Sequence, residues 1–138
     1  MNILIVEDDG VSSTLLKKIL SPYGDCTIAS DGNAAVASFR EAIESEARYD
    51  LICLDIMLPG LDGQYVLKQI RKIEEQRGIG GYDGARIVMM TALSDHRNIM
   101  DAFRSQCEGY IVKPIRKDKV LKQLFNLGIL QPLPDSFQ

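Results

Sequence analysis

The chain has 138 residues, 46% hydrophobic and 25% charged, which is the size and mixture of one globular domain with its own core. Sixteen basic against nineteen acidic side chains leave a net charge of −3, which disfavours broad attraction to nucleic acid or anionic lipid and points to protein partners. The opening MNILIVEDD lacks the regions of a leader peptide and no apolar run approaches a membrane span, so a cytoplasmic location is expected.

Ile3 to Val6 is a short apolar run broken by Glu7, Asp8 and Asp9, the pattern of a strand buried on both faces whose end opens into a polar site. Val11, Leu15 and Ile19, with Leu16 and Leu20, then recur at helical spacing until Ser21, Pro22 and Gly24. Cys26 to Ala29 reads as a second strand, Asp31 and Gly32 as a turn, and Ala35, Phe39, Ala42 and Ile43 as a helical stripe. Leu51 to Leu54 is a third strand ending at Asp55, followed by turn residues Pro59 and Gly60 and a helix marked by Val66, Ile70 and Ile73.

Gly78, Gly80, Gly81 and Gly84 precede the fourth strand without the Lys and Ser/Thr of a phosphate-binding loop, so they read as a plain connection. Arg86 to Thr91 is that strand, and Ile99, Ala102 and Phe103 mark the fourth helix. Tyr110 to Val112 is the fifth strand, and Val120, Leu121, Leu124 and Phe125 mark the last helix. Strands alternating with helices in this way predict an α/β fold, a parallel sheet covered on both faces, with its site outside the carboxyl ends of the strands. Residues 1–127 form the expected domain and 128–138 a short tail; Cys26, Cys53 and Cys107 lack metal-like spacing and read as buried free thiols.

Glu7, Asp8 and Asp55 all fall at strand ends and so converge on one rim. Taken alone, the first acidic run is a charged helix start; gathered in a cleft, carboxylates repel one another unless protonated or bridged by a hard cation such as magnesium. Thr91 in VMMTA and Lys113 in YIVKP bring a hydroxyl and an ammonium to the same rim. Together these groups supply what phosphoryl transfer needs: a carboxylate nucleophile, a metal site, and donors for developing phosphoryl charge. The Lys113–Pro114 peptide is expected to be cis, since an X-Pro bond adopts that form at low cost.

ILIVEDD, DLICLDIMLPGLDG, IVMMTAL and GYIVKPI, in that order, resemble the receiver domain of two-component response regulators, and the resemblance covers residues 2 to about 127. It implies a flavodoxin-like, doubly wound fold of five strands in the order 2-1-3-4-5. It further implies that Asp55 is the phosphoacceptor, that Asp8 and Asp55 hold Mg2+ (or Mn2+) directly with Glu7 acting mainly through water, and that Met57 offers its backbone carbonyl. Thr91 and Lys113 would grip the phosphoryl oxygens. Tyr110 matches the switch aromatic, whose inward turn with Thr91 rearranges the face of the fourth helix, fifth strand and fifth helix for a target or for a dimer.

The implied partner is a sensor histidine kinase or a histidine phosphotransfer domain, and the implied chemistry is the domain's own phosphorylation and dephosphorylation rather than enzymatic turnover. Met57 and Leu93, apolar two residues beyond Asp55 and Thr91, are expected to prolong the phosphoryl lifetime because neither orients an attacking water. Three other readings compete: a receiver cut from a hybrid kinase or larger regulator, an aspartyl-phosphate phosphohydrolase, and an inactive interaction module. Met57 stands where a haloacid-dehalogenase-like hydrolase would need a second Asp. Arg116 replaces the usual capping residue of the last helix, Lys117, Lys119 and Lys122 make that end basic, and His96 is assigned no relay chemistry.

Overall fold

The apolar runs become strands because each is short, rich in β-branched and long aliphatic residues, and bounded by turn formers. In the computed structural model, β1 (Asn2–Val6), β2 (Asp25–Ala29), β3 (Leu51–Asp55), β4 (Arg86–Thr91) and β5 (Gly109–Val112) alternate with α1 (Gly10–Leu20), α2 (Gly32–Glu44), α3 (Gly63–Gln76), α4 (His96–Arg104) and α5 (Lys117–Asn126). The structure describes residues 1–80, 83–92 and 96–133, and the backbone alone of His96. Gly81, Tyr82, Leu93, Ser94, Asp95 and the His96 side chain therefore lie outside the described residues.

All strand pairs are parallel, in the order β2-β1-β3-β4-β5. The order reverses between β1 and β3, which opens a crevice at their carboxyl ends. Register sets what meets there. Val6 lies opposite Leu54, Asp55 opposite Met90 and Thr91 opposite Val112, so Glu7, Asp55, Thr91 and Lys113 leave the sheet at nearly one level.

Alternate strand residues feed two cores. Leu4, Ile52, Leu54 and Ile87 meet Phe39, Leu67 and Ile70 on one face; Ile3, Ile5, Cys53 and Val88 meet Leu16, Val120 and Leu124 on the other. One expectation needs correction. The buried face of α1 is Leu16, Ile19 and Leu20, while Val11 is 78% exposed and Leu15 partly exposed, so the helical stripe is rotated from the one first read. The tail also joins the core: Gly128 (φ 73°) ends α5 in the left-handed region, and Ile129 and Leu130 then bury against α1 and α5. Cys53 and Cys107 are buried free thiols and Cys26 is half-buried.

Candidate functional site

The loop after β1 divides three consecutive acids among different tasks. Asp9 caps α1, accepting from Val11 N (3.2 Å) and Ser12 Oγ (2.8 Å), and those bonds hold its carboxyl below the usual range. Glu7 turns inward and is 2% exposed, while Asp8 remains exposed beside it. The charged helix start is thus served by Asp9, which leaves Glu7 and Asp8 for the rim.

Asp55, 3% exposed, ends β3 with its carboxylate fixed from two sides. Met57 N donates to Oδ1 at 3.0 Å, and Lys113 Nζ donates to Oδ2 at 2.8 Å. The chain must then turn sharply. Gly63 N bonds to Ile56 O at 2.9 Å, and a Cβ on Gly63 would collide with the Asp55 carbonyl oxygen, so only glycine lets α3 start this close to Asp55.

The Lys113 ammonium also lies 2.9 Å from Glu7 Oε2, a contact without hydrogen-bond alignment that is an ion pair. The Lys113–Pro114 peptide is cis. Desolvation opposes the lysine's charge, yet the bond to Asp55 and the ion pair with Glu7 outweigh it and hold its pKa above the ordinary value. Burial raises that of Glu7, the nearby Asp55 charge adding to the effect against Lys113.

Oxygens of Glu7, Asp8 and Asp55 lie within 4.8 Å of one another. Among the described residues, three carboxylates to one ammonium leave excess negative charge at a crevice that is partly closed to water. An all-oxygen set with an imperfectly satisfied buried Glu7 Oε2 suits a hard divalent cation. Thr91, 2% exposed, aims its hydroxyl at Ala92 O (3.2 Å), and Ala92 beside it is small and exposed. Met57 directs its side chain to solvent, 70% exposed.

Residues 3–125 match the family model described as the response regulator receiver domain. The chain belongs to that family. This receiver is 32% identical to the chemotaxis protein CheY of Bacillus subtilis over 88% of the chain and 92% of CheY. It is 31% identical to the regulatory protein VanRB of Enterococcus faecalis over 100% of the chain, but spans only 63% of VanRB. Against the osmosensing histidine kinase SLN1 of Saccharomyces cerevisiae it is 31% identical over 87% of the chain and 9% of the kinase.

Among solved structures, the complex of yeast Ypd1, a histidine phosphotransfer protein, with the Ssk1 receiver domain matches with a TM-score of 0.79 and 32% identity, covering 98% of this chain and 93% of that one. A CheX–CheY–BeF3–Mg complex from Borrelia burgdorferi matches with a TM-score of 0.76 and 27% identity, covering 93% and 89%. The receiver fold is a signalling module, and the acidic cluster is consistent with the magnesium site of such domains.

Tyr110 lies on β5, partly exposed, with its ring edge-on to Phe103 of α4 (centroids 6.2 Å apart). It is not gathered with the carboxylates. Arg116 is the N-cap of α5 without a side-chain cap bond, and Asp118 pairs with it at 3.7 Å. The sequence reading missed a second charged cluster, at the opposite end of the strands. There Arg71 bonds Glu74 (2.6 Å) and Glu108 (3.0 Å), while Ala85 N donates to Glu74 (2.6 Å) and Ile87 N to Glu108. Only the spacing of Arg71 and Glu74 on one helix face hinted at it.

Proposed function

We propose that this receiver is a phosphoryl-accepting switch in which Asp55 takes a phosphoryl group from a phosphohistidine and releases it to water. The observation that carries this reading is the buried Asp55 carboxylate, fixed by Met57 N and Lys113 Nζ beside Glu7 and Asp8. An Asp55 oxygen bonds phosphorus as the phosphorus–nitrogen bond breaks, and the electron pair leaves with the imidazole. Asp8, Asp55 and the Met57 carbonyl would hold magnesium or manganese, with Glu7 acting through water. The cation supplies charge neutralisation and polarises the phosphoryl oxygens.

Lys113 keeps its ammonium on the acceptor, and the Thr91 hydroxyl, free to leave Ala92 O, bonds the added oxygens. That movement draws on Tyr110 and Phe103 and re-forms the face of α4, β5 and α5 for a target protein or a second copy. The likeness to an Ssk1 receiver solved with Ypd1 supports a phosphotransfer domain or histidine kinase as donor. The likeness to SLN1 supports the variant in which such a receiver is one part of a hybrid kinase. The exposed, apolar Met57 argues against phosphohydrolase activity on outside esters and for a long-lived phosphoryl group; its partner in that expectation, Leu93, lies outside the described residues. No helix among the described residues is long and apolar enough to cross a membrane, which accords with a cytoplasmic setting.

Incubation with magnesium and acetyl phosphate, read by intact mass and peptide mapping, is expected to modify Asp55 alone. Absence of modification under conditions where magnesium binds overturns the proposal. Met57→Asn is expected to shorten the phosphoryl lifetime, by less than the roughly hundredfold or more of a fully positioned proton-transfer group, because an amide only orients the water.

A further inference from the structure

Most helices here are held by apolar burial, but α4 is not. α3 buries Val66, Leu67, Ile70 and Ile73, whereas Ala102 is the one buried side chain among the described residues of α4. Polar ties from α3 reach α4 near both of its ends. Past its carboxyl end, Arg71 Nε and Nη2 donate to Gln106 O at 2.9 and 2.8 Å, and Arg71 is itself locked by Glu74, Glu108 and Ala85 O. In its first turn, Gln64 Nε2 donates to Asn98 O at 2.5 Å. Among the described residues the first tie from α3 is charged and multiple, whereas the second is one neutral bond.

Gln64 is a poor choice for stability alone. It is 8% exposed, and its Oε1 is buried without a hydrogen-bond partner among the described residues. A buried carbonyl left in that state costs roughly what the amide's one good bond returns, so an apolar side chain of equal volume would serve the core as well. What an apolar side chain could not do is hold the Asn98 carbonyl.

We propose that Gln64 is a latch, a positioning residue that holds the first turn of α4 against α3 in the unphosphorylated chain, with Arg71 as the pivot at the other end. The latch rests on the receiver reading above, since β4, which ends in Thr91, leads into α4. When Thr91 is drawn toward a phosphoryl group on Asp55, α4 leaves α3 from its amino end, breaking one neutral bond, while the charged ties at Gln106 hold.

The test uses the full chain with Gln64→Met, which keeps the volume, and Gln64→Leu as a second variant. Hydrogen exchange of the 99–104 amides in unphosphorylated protein is expected to quicken by about three- to tenfold, the range one neutral hydrogen bond supports. Exchange in α1 and α5 and the Tm are expected to hold. Half-saturation by beryllofluoride with magnesium is expected to fall by no more than the same factor, because the variant no longer opposes the shifted state. Unchanged α4 exchange in both variants overturns the latch, and so does a lowered Tm with exchange quickened throughout the core, which would make Gln64 a packing residue. Wild-type protein that binds magnesium but no beryllofluoride would sink the receiver reading instead, while the exchange comparison still decides the latch.

Discussion

Two charged clusters stand at opposite ends of one sheet, each built from carboxylates around a cation but in different proportions. At the amino ends of β4 and β5, each oxygen of Glu74 and Glu108 has a donor, from Arg71 or from Ala85 N and Ile87 N. At the carboxyl ends of β1, β3 and β5, Glu7 and Asp55 pair with Lys113 and Asp8 lies beside them, three carboxylates to one ammonium among the described residues. A completed cluster pins elements together, whereas an incomplete one stores repulsion that a cation and a phosphoryl group can rearrange. Buried charge is thus informative through its balance rather than its presence.

The comparison breaks most sharply if both clusters answer alike to losing a member. Asp55→Asn is expected to abolish phosphorylation completely, seen as no mass gain with acetyl phosphate, in a protein that still folds. Arg71→Met strands two carboxylates, one of them buried, and is expected to cost about 3–5 kcal/mol in denaturant unfolding, the penalty for breaking a buried ion pair. Its folded fraction should still phosphorylate. A variant at Arg71 that unfolds no more easily than wild type would show the amino-end cluster to be ornament.

Magnesium sharpens the contrast on a smaller scale. Binding to the native state alone at 100 times Kd stabilises by about 2.7 kcal/mol, so thermal melts are expected to shift upward with magnesium and to stop shifting after chelation. Asp8→Asn should largely remove that response, and Arg71→Met should keep it. A magnesium response retained in full by Asp8→Asn would place the ion elsewhere.

Much of the carboxyl-end site was legible because each strand announces its own end. Apolar runs stop at Glu7, Asp55, Thr91 and Lys113, and parallel alternation forces those stops onto one rim. The family motifs added roles that spacing alone leaves open. The amino-end cluster was not legible, because Arg71 meets Glu108 across 37 positions and no local pattern encodes that meeting. Nor did periodicity reveal that α1 turns Val11 and Leu15 outward: adjacent helical stripes are equally apolar there, and only docking on the sheet chooses between them. Ile129 and Leu130 looked like tail since two apolar residues after a glycine carry no period.

The smallest expected effect separates the two buried glutamates by pH. Burial raises the pKa of both Glu7 and Glu108 above the ordinary value of 4.5. The folded state therefore holds each proton more tightly than the unfolded chain does. Each contribution to stability is fully present below the unfolded pKa and is lost as pH rises through the folded one. Relative to Glu7→Gln and Glu108→Gln, the wild type should lose stability over that window upward from about 4.5, read as a slope in unfolding free energy rather than as an offset. Magnesium favours the ionised carboxylate at Glu7 and has no place beside Glu108. Adding it should flatten the slope measured against Glu7→Gln and leave that against Glu108→Gln unchanged. Equal flattening of both would mean that the ion acts by screening, and the distinction between a completed and an incomplete cluster would lose its electrostatic basis.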